Sequence, residues 1–220
     1  VVSNVLFFGP AQGLGVNPFR VFKEINKRFN TAEEQDEYRK KLYRRDVLGD
    51  EIPAQLFDDM LKGRANPQTA ISELNTLLSK AQKFAASGSE IPKSIYERLK
   101  QLSIAVDAFY KIALFEHELK VLKKAQAHAI KVGSSEPLAD TTIWTEGRLE
   151  IAAADKVKMT AQSYSQAPPL ARGLQESMVG PLVAPFLRFK LEVPRIVFNT
   201  YKLGFHELGS GNAVLKRRAI

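Results

Sequence analysis

Residues 93–132 form the longest stretch of the chain without a proline or a glycine. Apolar residues recur along this stretch at spacings of three and four, which is the pattern of one face of an α-helix. They are Ile95, Leu99, Leu102, Val106, Phe109, Ala113, Leu119 and Leu122. A single helix of this length would span roughly 60 Å, so the stretch predicts a strut against which shorter elements pack.

The rest of the chain also favours helices from residue 19 onward. It lacks the period-two alternation and the Asn-Gly or Asp-Gly turns of β-hairpins. The segment "TAEE" at 31–34 predicts a capping box at a helix start. We therefore expect an all-α fold, an elongated bundle of six to eight helices with one long central helix and no sheet. Further predicted helices cover 19–29, 53–62, 140–164, 170–178 and 185–205, and another opens at Pro67. Breaker-rich segments lie at 9–18, 86–92, 133–137 and 165–169.

Three regions differ in character. Residues 1–30 form an N-terminal basic amphipathic segment, residues 31–132 a charged helical region with the long helix, and residues 133–220 a C-terminal helical region. The chain starts at Val1 and stops without a terminal turn signal, so we expect a piece of a longer protein.

The net charge of +8 is carried by the two ends of the chain. Residues 1–30 carry four basic and one acidic side chain, residues 179–220 carry seven and two, and the middle is neutral. Basic ends favour contact with nucleic acid, anionic lipid or an acidic protein, and solubility alone is the other explanation.

No pattern in the sequence points to catalysis. There is no cysteine, which excludes disulfides and thiol chemistry. The segment "GPAQGLG" lacks the Gly-Lys-Ser/Thr ending of a phosphate-binding loop. His117 and His128 are about 16 Å apart on a helix, too far to share a metal ion. Glu146 and Glu150 alternate with basic residues, which is typical of a solvated helix face. We expect no catalytic, cofactor-binding or metal-binding residues in this chain.

The predicted helix 185–205 is apolar around most of its girth, with one polar stripe that we call the polar seam. Its members are Arg188, Glu192, Arg195, Asn199 and Lys202, spaced four, three, four and three apart. Several Arg and Lys residues near the helix centre would cost several kcal/mol in a membrane span. We expect a helix buried on most sides, whose polar seam faces water or another polar surface and serves assembly. Direct membrane contact is the alternative.

Three segments carry patterns that occur together in one group of proteins. Residues 1–10 contain an Asn-bearing apolar run, residues 150–174 a Glu-Ala-Ala, aromatic-Ser, Pro and Arg series, and residues 184–205 a Pro-Phe-x-x-Phe segment followed by Arg and Asn. The matching positions are Glu150, Tyr164, Pro168, Arg172, Pro185, Phe186, Phe189, Arg195 and Asn199. This combination resembles the large internal virion proteins of short-tailed bacteriophages, which include ejection proteins and giant virion-packaged RNA polymerases.

The resemblance implies a structural module of a DNA-ejection protein, packaged in the virion with the genome and later located in the host envelope. Implied partners are other virion or ejection proteins in a homo- or hetero-oligomer, the DNA backbone, and the envelope through peripheral contact. The chain contains no polymerase motif, so we expect it not to be an enzyme, with any activity lying elsewhere in the parent protein. A helical domain that binds nucleic acid without sequence preference is the alternative function.

Overall fold

Helices make up most of the described chain. The computed structural model describes residues 18–48, 52, 54–62, 67–161 and 180–219, and within 180–193 it describes the backbone only. These ranges contain eight α-helices and no strand, which confirms the predicted fold class there. The helices are α1 Pro18–Arg28, α2 Ala32–Arg44, α3 Ala54–Leu61, α4 Pro67–Ala86, α5 Lys93–Lys131, α6 Glu146–Thr160, α7 Gly180–Gly209 and α8 Ala213–Ala219.

Helix α5 organises the fold. It is continuous over 39 residues, as predicted, and is therefore about 58 Å long. Helices α1, α4, α6 and α8 pack against it, together with a 3₁₀ turn at Pro137–Ala139. Phe109, Ile112 and Phe115 of α5 lie in the main apolar core. That core also takes side chains from α1, α2, α3 and α6, including Phe22, Ile25, Tyr38, Leu42, Phe57, Leu149, Ala153 and Val157.

Local sequence signals explain where several helices begin and end. The capping box is present at α2, where the Thr31 hydroxyl accepts from the Glu34 N–H and the Glu34 carboxylate accepts from the Thr31 N–H. Helix α5 ends at Lys131, and Gly133 two residues later has a φ of 61°, a left-handed conformation that glycine adopts without steric cost. The Ser134 N–H then donates back to the Ala129 carbonyl at 2.9 Å, which closes the last turn.

The helix predicted over 140–164 is shorter than the pattern indicated. Helix α6 begins only at Glu146, because the Asp140 carboxylate accepts from the Thr142 N–H at 2.9 Å and from the Thr142 hydroxyl at 2.6 Å. A side chain that holds nearby backbone donors in this way competes with helix formation. The helix predicted over 185–205 is longer than expected, since α7 runs from Gly180 to Gly209.

Some predictions fall outside the described residues. These are most of the loop over 9–18, the helix over 170–178, the break at 165–169, and the resemblance positions Tyr164, Pro168 and Arg172.

Polar contacts join α1 and α2 to the long helix. Glu116 of α5 accepts from the Tyr38 hydroxyl at 2.6 Å and from the Arg28 guanidinium at 2.6 Å. Burial, reinforced by the Glu116 carboxylate, raises the pKa of Tyr38 well above its usual value. The tyrosine therefore stays a neutral donor, and the N-terminal helices are held in a fixed position along α5.

Candidate interaction surface

The inner side of α7 is held against the end of α6. Arg195 donates to the Lys158 carbonyl at 3.1 Å, to the Met159 carbonyl at 3.4 Å and to the Ala161 carbonyl at 2.9 Å. The Asn199 amide donates to the Met159 carbonyl at 3.1 Å. The last carbonyls of a helix have no partner within it, so these side chains supply donors that α6 lacks.

The described residues of the polar seam face either a polar surface or water, which are the two surroundings that were expected. Arg195 and Asn199 point inward and are half-buried against α6, while Lys202 is exposed. The side chains of Arg188 and Glu192 lie outside the described residues. The expectation that the apolar remainder of the helix is buried is wrong for Val197, Phe198, Tyr201 and Phe205, which are exposed, whereas Ile196 and Leu203 are half-buried. The inward side of the helix is taken by Arg195 and Asn199, because the end of α6 offers them polar partners. A role of the polar seam in assembly stays a prediction.

A buried cluster of four charges fixes the C-terminal half of α7. Glu118 of α5 and Glu207 of α7 are each 2% exposed, and both lie against Lys156 of α6 and Arg218 of α8. Lys156 Nζ is 2.8 Å from Glu207 Oε1 and 3.7 Å from Glu118 Oε2. The Arg218 guanidinium bonds both carboxylates, with Nε 2.7 Å from Glu207 Oε2. Two acids and two bases from four helices thus neutralise one another in a site that is largely shielded from water.

The turn between α7 and α8 is held by Asn212, a polar residue that is buried. Asn212 donates from Nδ2 to the Ala125 carbonyl of α5 at 2.9 Å and to the Glu136 carboxylate at 3.3 Å. Its Oδ1 accepts from the Val214 N–H at 3.0 Å and so caps the start of α8. A Cβ at Gly211 would collide with the Glu136 carboxylate, so a larger residue there would require the Glu136 side chain to shift. Helix α8 has no fully buried residue, and its position is set by these polar contacts together with Val214 and Leu215, which are half-buried against the main apolar core.

The side of α7 opposite these contacts is apolar and exposed. Phe198 and Tyr201 are each 68% exposed and Phe205 is 72% exposed. We call this surface the outer face of α7, and its members are Val197, Phe198, Tyr201, Phe205 and Leu208. Their spacings place them within an arc of about 100° on one side of the helix. Large apolar side chains in a continuous exposed row mark an interaction site rather than the usual scatter of single exposed residues.

No family model, no curated protein and no solved structure matches the chain.

No described helix is long and apolar enough to cross a bilayer. The described residues also contain no group of three or more His, Asp or Glu side chains placed to hold a metal ion.

The acidic pair considered from the sequence is split by the fold. Glu150 is buried and accepts from Lys41 at 2.9 Å and from Arg45 at 3.1 Å, whereas Glu146 is exposed and pairs with Lys123. The interpretation as a solvated face is thus wrong for Glu150, which joins α6 to α2. His117 is half-buried on α5, and this burial lowers its pKa.

Sequence reasoning missed the four-charge cluster. A signal was present, because Glu118 follows Phe115 by three residues and precedes Leu122 by four, which puts it on the core stripe of α5. A charged residue at such a position predicts a buried partner of opposite charge. Nothing local indicates which partner, since Arg218 is 100 residues away in sequence.

Replacing Arg195 by alanine is expected to lower the free energy of unfolding by about 1–3 kcal/mol, because carbonyls at the end of α6 lose a charged donor. The loss should be local, so amide hydrogen exchange over residues 157–161 should accelerate more than exchange in the centre of α5. The matched control is Lys202→Ala, which removes an exposed cation from the same helix. Equal effects of the two substitutions on stability and exchange would contradict the capping role of Arg195.

Proposed function

We propose that this chain is a structural and interaction module that acts through the outer face of α7. The observation that carries the proposal is the row of exposed aromatic and aliphatic side chains on a helix whose other side is fixed. Arg195, Asn199 and Glu207 hold the inner side in place, so the helix cannot rotate to bury Phe198, Tyr201 and Phe205 without losing buried polar contacts. A surface kept exposed in this way is pre-organised for a partner.

The parent protein, in this proposal, is an internal virion protein of a tailed bacteriophage that leaves the particle with the DNA. Support comes from the resemblance of residues 1–10, 150–174 and 184–205 to that group. An all-helical architecture without cysteines also suits a chain that is packed beside DNA and later rearranged, because helices form from local contacts faster than sheets do. The chain would act in the virion first and in the host envelope on infection, alongside other ejection proteins.

The test uses phage particles produced with a substituted outer face. The double variant Phe198→Ser/Phe205→Ser is expected to lower incorporation of the parent protein, as measured by mass spectrometry of purified particles, or to lower DNA delivery per particle. The control is Ile130→Ser/Ile151→Ser, which replaces two exposed isoleucines on α5 and α6. Absence of the protein from wild-type particles, or normal incorporation and delivery in the double variant, would sink the proposal.

Binding to nucleic acid without sequence preference is the second candidate function. It is favoured by the basic C-terminal helix, in which Lys216 and Arg217 are exposed. Contacts to phosphates release counterions, so this function requires an affinity for DNA that falls steeply as salt is added. A flat salt dependence would exclude it.

A further inference from the structure

We propose that the outer face of α7 binds an anionic lipid surface, with the helix lying in the plane of the headgroups. This inference rests on the proposed interaction function and names its partner. It concerns a helix that is already docked on a protein body, and it requires no segment that spans the bilayer.

The outer face has the composition of a helix face that lies at a membrane surface. Phe198, Tyr201 and Phe205 present large apolar rings, and tyrosine adds a hydroxyl that suits the wet boundary between headgroups and acyl chains. Interfacial helices bury such a face by roughly 5–10 Å while the opposite side stays polar. Here the opposite side is occupied by the buried contacts of Arg195, Asn199 and Glu207, so the outer face is the one that remains available.

The exposed charges in this part of the chain also match an anionic surface. Over residues 194–219 every exposed charged side chain is basic, namely Lys202, Lys216 and Arg217. The only acid in this range is Glu207, which is buried and paired with Lys156 and Arg218. Lys202 borders the outer face beside Phe198 and Phe205, which lie four residues before it and three after it. A long side chain there can reach a headgroup while its methylenes lie along the apolar surface. An apolar strip bordered by Lys202, in a segment that exposes no acid between residues 194 and 219, is complementary to anionic lipid.

The same charges argue against a second copy of the chain as the occupant. A twofold interface would bring the same patch of both copies together. Lys202 would then approach its counterpart, and residues 194–219 offer no exposed carboxylate to pair with either lysine. Like charges at an interface oppose association, whereas an anionic surface attracts all of them at once.

The experiment measures co-flotation of the purified chain with vesicles of phosphatidylcholine alone and of phosphatidylcholine mixed with phosphatidylglycerol. Binding is expected only to the mixed vesicles and should weaken as salt is added. Phe198→Ser/Phe205→Ser should reduce the partition coefficient at least about tenfold, because two aromatic side chains no longer leave water. The charge variants Lys202→Gln, Lys216→Gln and Arg217→Gln should each reduce it by up to about fivefold.

Controls separate binding from misfolding. The variant Ile130→Ser/Ile151→Ser should bind mixed vesicles like the unaltered chain, and circular dichroism should show the same helix content for all variants.

Insertion depth is measured with Tyr201→Trp in a Trp144→Phe background, so that the single tryptophan reports on the outer face. Its emission should shift to shorter wavelength and be quenched by brominated lipid on mixed vesicles.

Four outcomes overturn the inference. They are equal binding of the Phe198→Ser/Phe205→Ser variant, equal binding to neutral and mixed vesicles, an unquenched tryptophan, and a lipid-free dimer that the same double variant abolishes. If vesicle binding fails while particles of that variant still lose the protein or deliver less DNA, only the lipid inference falls. If vesicle binding holds while wild-type particles lack the protein, the virion proposal falls instead.

Discussion

A protein carrying Arg218→Met is expected to lose about 3–5 kcal/mol of its free energy of unfolding. Arg218 bonds both Glu118 and Glu207 through its planar guanidinium. Without it, two carboxylates that are almost fully shielded from water share a single cation, Lys156. Breaking a buried ionic network on one side costs more than the network contributes net, because the remaining charge is left desolvated.

The matched control for Arg218 is its neighbour Arg217. It lies on the same short helix and is exposed, so Arg217→Met should change stability by less than about 0.5 kcal/mol. Urea denaturation followed by circular dichroism measures both variants. Adding Glu118→Leu to Arg218→Met should recover part of the loss, because Lys156 and Glu207 then remain as a balanced pair. Equal stability of the Arg217 and Arg218 variants would contradict the cluster's role.

The long helix α5 could be predicted from local signals in the sequence. Residues 93–132 contain no helix breaker and carry one apolar stripe, and glycine at 133 supplies the left-handed stop that the structure contains. All of these signals are local, which is why α5 and the capping box at Thr31 could be predicted. The start of α6 could not, because Asp140 holds backbone donors through its side chain and delays the helix by several residues.

The orientation of α7 could not be predicted, because periodicity tells which residues share a face but not which face meets the protein. The usual rule turns the apolar side inward. In this chain the carbonyls of Lys158, Met159 and Ala161 need donors, and Arg195 and Asn199 provide them from 34 to 40 residues away. A contact over that separation leaves no mark in a local pattern, and it decides that Phe198 and Phe205 point outward.

Two substitutions of phenylalanine by alanine are expected to separate stability from recognition. Phe115→Ala should lower the free energy of unfolding by about 3–5 kcal/mol, because Phe115 is 0% exposed and its loss leaves a cavity at the centre of α5. Phe205→Ala removes the same atoms from a side chain that is largely in water, so its effect on stability should stay below about 0.5 kcal/mol.

The comparison becomes decisive when vesicle binding is measured on the same two proteins. Phe205→Ala should weaken binding to mixed vesicles, whereas Phe115→Ala should leave the affinity of the folded fraction unchanged. A phenylalanine that adds nothing to stability and remains in water has to find its favourable contact outside the chain. If Phe205→Ala instead destabilised the fold as much as Phe115→Ala, the ring would have a partner within the protein, and the outer face would no longer be a free surface. In that case the four-charge cluster and the Arg195 contacts would stabilise the fold but would not keep a surface exposed for a partner.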